Sequence, residues 1–469
     1  MARAAPVGNI CGKTAPMASQ TSDKKSEISY ASALKLAIPA SIAAMATPLL
    51  GAIDVWALGR SPRPLDIAAV GLGSVIFSLI YWTFGFIRMS VAGLTAQAMG
   101  AGDEAAARTS LAHGFAIGAL IGTLLLISQS LIGLAAFSLL SIGSEASAAT
   151  MAAAQEYFSI RIWGAPFALA TYALFGWFTG RARTDFLMIA SLAMTALNVA
   201  LDYWFVVELE WGAWGVGLGT LLAEISGFAI SVGFALVLMK RHGGVKAHWS
   251  RGALRDPVRV KRTLSINTDI FIRTLLLAIS FAWFTQRSGT FGDVTLAANQ
   301  ALLQLFLFTG LALDGTAIAA ETFVGNALGD DDRVRGRARF YRGIKVTAVP
   351  ALVLACVFTL AYLLFGREFV ALLAPAGEIR DTALSYLPWI VISPLVLVSA
   401  FQLDGIFVGA TRAREMRNAM IVCTTVLLPL SVLMANAFGN HGLWMAFSLY
   451  FVLRAISLAV YWPRLTRAF

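Results

Sequence analysis

The stretch KRHGGVKAHWSRGALRDPVRVKR, Lys240–Arg262, divides the chain in two. It holds eight Lys or Arg against the single Asp256, too much charge to lie in hydrocarbon. On either side of it, from Ala33 to Trp462, apolar runs recur roughly every 30 to 40 residues. Each is long enough to cross about 30 Å of lipid at about 1.5 Å per residue. Six such runs precede the basic stretch and six follow it. The chain has 469 residues, of which 58% are hydrophobic and 13% charged, more apolar surface than a soluble domain of that size can bury. The expected fold is an all-α integral membrane protein of twelve transmembrane helices in two pseudo-symmetric six-helix lobes. Its expected divisions are a disordered cytoplasmic leader (1–32), a first lobe (33–240), a basic linker (241–261), a second lobe (262–463) and a short tail (464–469).

The formal charge of +10 raises the question of nucleic acid, and its placement answers it. Besides the central stretch, basic residues gather in "RAR" (Arg181–Arg183), "DDDRVRGRARFYR" (Asp330–Arg342), "RAREMR" (Arg412–Arg417) and the terminus with Arg464 and Arg467. The intervening loops hold almost none, apart from Arg60 and Arg63. Alternation of that kind follows the positive-inside rule, so both termini are expected in the cytoplasm and the chain in the cell inner membrane. No nucleic-acid partner is implied. Cys11, Cys356 and Cys423 are scattered and suggest neither disulfide nor zinc.

A shift of 229 residues brings "GWFTGRAR" (Gly176–Arg183) onto "GIFVGATR" (Gly405–Arg412) and "AMGAGD" onto "ALGDDD", with Gly100 on Gly329 and Asp103 on Asp332. Six spans per copy preserve orientation, so the copies are parallel lobes about an axis along the membrane normal. Such lobes share a central cavity and can rock to give alternating access.

At this point the residues resemble a known family. "ALKLAIPA…IDVWALG", "LNVALDYWFV", "GAWGVGLGTLLAE", "LAANQALLQLF", "LALDGTAIAAETFVGNALG" and "LDGIFVGATRAREMRNAM" look like a multidrug and toxic compound extrusion (MATE) transporter of the DinF-like branch. The resemblance runs from Ala33 to about Trp462. It implies a V-shaped pair of six-helix lobes and export of organic, lipophilic cations against a flow of H+ or Na+, with no cofactor, by a monomer.

The carboxylates inside apolar spans decide where coupling would occur, since each costs about 2.5 to 3.5 kcal/mol at a helix centre. Asp54 lies about 19 residues above Lys35, and Asp202 about 17 above Asp185 on another span, so the two reach one level near the outer face. Asn198 precedes Asp202 by one helical turn and shares its face, and Thr220 enters the next span at a similar height. Two carboxylates, an amide and a hydroxyl suit a monovalent cation or a proton. In the family resembled, residues matching Asp54, Asn198, Asp202 and Thr220 carry cation coupling.

The second lobe carries Arg273, Asp314, Glu321, Asp404 and Arg454 within spans. These read either as a second coupling or gating site or as an ion-pair network that glues helices. Arg88 and Glu224, both mid-span in the first lobe, are expected to pair with each other. Other MATE branches place an acid in the seventh span, where this chain reads "LLLAISFAWFTQ" with none. Apolar and polar walls for a substrate are sought at Met45, Trp163, Phe167, Tyr172, Trp177, Trp204, Phe205, Asn299 and Gln300.

An enzyme is not expected: His113, His242, His248 and His441 sit at loops or helix ends, and no nucleophile–base or phosphate-cradling pattern occurs within a span. The alternative is a lipid or lipid-linked oligosaccharide flippase of the same fold superfamily.

Overall fold

The computed structural model describes residues 28–59, 65–141, 147–249, 251–374 and 376–467. Most of the expected leader, together with Arg60 and Arg63, lies outside the described residues. The first half comprises α1 (Tyr30–Leu58), α2 (Leu65–Phe84), α3 (Phe86–Gly100), α4 (Glu104–Ile127), α5 (Gln129–Ser141), α6 (Ala148–Arg161), α7 (Ala165–Gly180), α8 (Thr184–Asp202) and α9 (Gly212–Arg241). The short α10 (Arg251–Arg255) lies in the linker. The second half comprises α11 (Pro257–Gly289), α12 (Asp293–Leu328), α13 (Arg333–Leu373), α14 (Glu378–Gly409) and α15 (Ala413–Val460), followed by α16 (Trp462–Thr466).

Ten stretches are long and apolar enough to cross a membrane, with α2–α3 and α6–α7 each counting as one. The last, Ala413–Thr466, holds two crossings, because α15 folds at Gly439 (φ 60°, ψ −142°), a backbone shape that glycine adopts without strain. Splitting it and adding the 29-residue α1 gives twelve crossings among the described residues. α11 opens at Pro257, ahead of the expected lobe edge, because the Asp256 side chain caps the Val258 N–H at 2.9 Å with proline at the first helical position.

The internal repeat is visible as geometry. A Cβ on Gly176 would stand 2.4 Å from the Arg88 carbonyl oxygen, and one on Gly405 would stand 2.1 Å from that of Ala317. Gly180 meets the Ala92 carbonyl (2.6 Å) as Gly409 meets that of Glu321 (2.3 Å). In both comparisons each residue of the second-half contact lies 229 residues beyond its first-half counterpart. The turns that follow agree as well, with Ala182 at φ 58° and Thr411 at φ 54°. Asp103 and Asp332 both cap the helix they precede.

The two halves join by the same symmetry. Gly100 approaches the Asn326 carbonyl oxygen at 2.1 Å, while Gly329 approaches that of Gln97 at 1.9 Å, measured to an added Cβ. Gly100 corresponds to Gly329 and Gln97 to Asn326, so the contact is isologous, as about a two-fold axis. Only residues lacking a Cβ allow backbones this close. These approaches lie at the end of the bundle that carries the basic loops. There Arg108, fully buried, donates to the carbonyls of Met239, His242, Gly244 and Ala247 and pairs with Glu104. Its guanidinium thus satisfies the carbonyls that α9 leaves open and anchors the linker where it begins.

Candidate functional site: a buried acid pair and a cross-lobe ion network

α1 packs along α8, and the two helices set Asp54 and Asp202 beside each other. Both are buried, Asp54 to 4% exposure and Asp202 to 0%. α8 ends at Asp202 and passes into a π-helical turn, Tyr203–Glu208, a widened geometry that recurs at functional sites. Within that turn Trp204 stacks on Phe205, which in turn stacks on Trp211 just beyond it.

Asn198, one turn before Asp202, directs its amide nitrogen toward Thr220 Oγ1 at 3.4 Å and lies against Asp202. The Thr220 hydroxyl donates to the Val216 carbonyl at 2.9 Å. Opposite Asp202, Gly219 presents bare backbone, and a Cβ there would stand 2.3 Å from Asp202 Oδ1. Asp54, Asn198, Asp202 and Thr220 therefore form one buried group. Asp54 Oδ1, Asn198 Oδ1 and both Asp202 oxygens have no hydrogen-bond donor. Buried acceptors without donors are costly, and a proton or small cation among them removes that cost.

Arg161 is the nearest guanidinium and is otherwise engaged. It donates to the Tyr157 hydroxyl, lies 4.6 Å from the centre of the Phe77 ring and approaches Glu224 at 3.9 Å. Among the described residues no N–O approach within 4 Å links it to Asp54 or Asp202, although it acts on Asp54 through space. Glu224 also accepts from the Tyr81 hydroxyl at 3.1 Å. The expected pairing of Arg88 with Glu224 does not occur: Glu224 pairs with Arg161 and Tyr81, and Arg88 faces the other half. Both residues are mid-span, but helix rotation aims them in different directions. Tyr157 and Gly219 are the neighbours that the sequence does not single out; the glycine-rich run GVGLG before Thr220 is the available signal.

Arg273, Asp314, Glu321, Asp404 and Arg454, singled out in the second half, divide into two groups. Arg273 and Arg454 both contact Asp404 Oδ2. Asp314 and Glu321 instead face Arg88 of the first half, at 3.8 and 3.9 Å.

The residues sought as cavity walls are dispersed. Trp177 is buried in the α3–α7 core beneath Arg181, whose guanidinium lies 4.7 Å from its ring. Asn299, also fully buried, bonds to Ser288, Asn440 and Trp444. Gln300 bonds to Thr285, and Phe167 packs on Phe228. Phe205 is buried, Trp163 and Trp204 are exposed, and Met45 is half-buried on α1. Tyr172, half-buried, shares the surroundings of Glu224, Arg88 and Arg161.

Comparisons with known proteins agree with this architecture. The MatE family profile matches residues 39–204 and 270–433. The chain is 34% identical over 429 residues to DNA damage-inducible protein F of Escherichia coli K12, covering 92% of this chain and 91% of that one. It is 26% identical to the "Probable multidrug resistance protein NorM" of Bradyrhizobium diazoefficiens, covering 90% of each. In fold it is similar to the outward-facing conformation of a multidrug resistance MATE family transporter of the MOP superfamily. There the TM-score is 0.80 at 18% identity, over 94% of this chain and 96% of that one.

Proposed function

This chain belongs to the MatE family of multi-pass membrane transporters, and from that premise we propose that it is an H+- or Na+-coupled antiporter exporting lipophilic organic cations. The observation that carries the reading is the group of donor-free oxygens on Asp54, Asn198 and Asp202. Two carboxylates facing each other there repel unless a proton or cation sits between them. Occupancy is thereby linked to how closely α1 packs on α8.

α1 also touches the second half. Ser41 donates to the Ala312 carbonyl at 2.8 Å, and Gly315 admits the Ser41 side chain. A change in the set of α1 at Asp54 therefore reaches the interface between the halves through one continuous helix. With the basic end taken as cytoplasmic, in the inner membrane, the acid pair lies toward the far side and is loaded from there. The lobes then rock as a monomer to expel the organic cation. A flippase for phosphate-headed lipids would need unpaired basic groups in the central space. Arg273 and Arg454 are instead held by Asp404, and Arg88 faces two acids, which favours cationic cargo.

The test is ethidium uptake into everted vesicles under an imposed pH or Na+ gradient. Asp54→Asn and Asp202→Asn are each expected to lower gradient-driven uptake by more than about tenfold, as loss of a required group does. Full uptake in either variant would overturn the assignment.

A further inference from the structure

Arg88 lies on α3 of the first half, and its two acidic neighbours lie on α12 of the second, so this contact spans the division between the lobes. It differs from the buried clamp on Asp404. Arg273 and Arg454 both touch Asp404 within one half, whereas Arg88 stays 3.8 Å from Asp314 and 3.9 Å from Glu321, beyond hydrogen-bonding distance. Arg88 Nη1 and Glu321 Oε1 have no hydrogen-bond partner, and Glu321 is only 2% exposed. Asp314, by contrast, keeps 34% of its side chain open.

Within ion-pair reach Asp404 holds two guanidinium groups, while Asp314 and Glu321 share one; Arg273 and Arg454 act on Asp314 only through space. The Asp314–Glu321 pair is thus not tightly neutralised, and one of its carboxyls is reachable. Nor is the arrangement inherited from the repeat. The counterpart of Arg88 is Ala317, that of Asp314 is Gly85 and that of Glu321 is Ala92, so the charges were placed where the shared scaffold has small, uncharged residues.

We propose that Asp314 and Glu321 form the carboxylate site for a monovalent organic cation, and that Arg88 is a tethered competitor which the cation displaces, releasing a latch between the lobes. The proposal rests on the antiport reading and adds a site and a competitor to it. A guanidinium and an organic cation carry the same charge and cannot both lie between the same two carboxyls. The apparent affinity for cargo is then lowered by the fraction of time Arg88 occupies the acids. The long, unbonded contacts suit a group that must leave readily, as the tight clamp on Asp404 does not.

The test is equilibrium binding of ethidium, read by fluorescence anisotropy, to purified full-length protein. A neutral lipophilic dye serves as control. Removing the competitor in Arg88→Gln is expected to tighten ethidium binding by at least about threefold, following the occupied fraction. Asp314→Asn is expected to weaken it by about tenfold or more, and Arg88→Gln/Asp314→Asn to match Asp314→Asn. Arg88→Lys, which keeps the charge, should stay near wild type, and the neutral dye should bind all variants alike. If Arg88→Gln leaves ethidium affinity unchanged or lowers it while wild-type vesicles still transport, the competitor role fails and the antiport reading stands. If Asp314→Asn binds as wild type, the site fails. Wild-type vesicles that show no gradient-driven uptake would sink the antiport reading and this proposal with it.

Discussion

The Trp283 indole N–H donates to Ser431 Oγ at 2.8 Å, linking α11 to α15. Counted 229 residues back, these two positions are Asp54 and Asp202. The same pair of places in the repeat thus holds two facing carboxyls in one half and a neutral, satisfied hydrogen bond in the other. Only the first arrangement calls for a positive species, so the halves share a scaffold and differ in chemistry.

That asymmetry makes a prediction about the second half. Ser431→Ala should cost about 1 kcal/mol, the usual worth of a neutral hydrogen bond, while leaving gradient-driven ethidium uptake unchanged. Thermal unfolding and vesicle uptake on the same preparation check both parts; a strong coupling defect would place an ion step in the second half.

Gly219→Ala should act on coupling with little effect on stability. Its Cβ would stand 2.3 Å from Asp202 Oδ1, and the atom it displaces is the end of a side chain, which can swing away. The carboxyl then leaves the Asp54–Asn198–Thr220 group. The half-saturating concentration of the coupling ion should rise by about tenfold, as misplacing a positioned group does, with the melting temperature nearly unchanged.

At the basic end of the bundle the opposite holds. A Cβ on Gly329 would lie 1.9 Å from the Gln97 carbonyl oxygen, which is backbone and cannot rotate aside. Gly329→Ala should disfavour the joined arrangement of the two halves by about 1 to 3 kcal/mol, as overpacking does. Because the contact is isologous, Gly100→Ala should do the same. Spin labels across this seam, read as a distance distribution, should move to longer separations in both variants, and an unchanged distribution would contradict the account.

Asp330, in the basic-end turn between α12 and α13, has its carboxyl held well below the usual range by hydrogen bonds from Arg335 and Arg339, which outweigh the opposing effect of burial. A depressed folded value stabilises the fold above the unfolded value and loses that contribution as pH falls through about 4 and below. Asp330→Asn should therefore lower the melting temperature at pH 7 and by a smaller margin at pH 3, the difference closing only at still lower pH. Equal effects at both pH values would refute the ion-pair explanation.

Depth in the membrane was legible from the chain itself. The number of crossings and the shared level of Asp54 and Asp202 follow from run length, a fixed rise per residue and the spacing of charges, and the repeat from residue matches at a fixed shift. Asn198 one turn from Asp202 already placed both on one face. Lateral neighbours were decided only by tertiary packing. Arg88 looked like a partner for Glu224 and instead crosses to Asp314 and Glu321, while Glu224 turns to Arg161. Trp177 and Asn299, sought as cavity walls, are enclosed in packed cores. The reason is geometric: rise per residue fixes height along a helix, but which side chains meet depends on the rotation of each helix and on how closely neighbouring glycines let the backbones approach. Those angles belong to the assembled bundle and to no single segment of it.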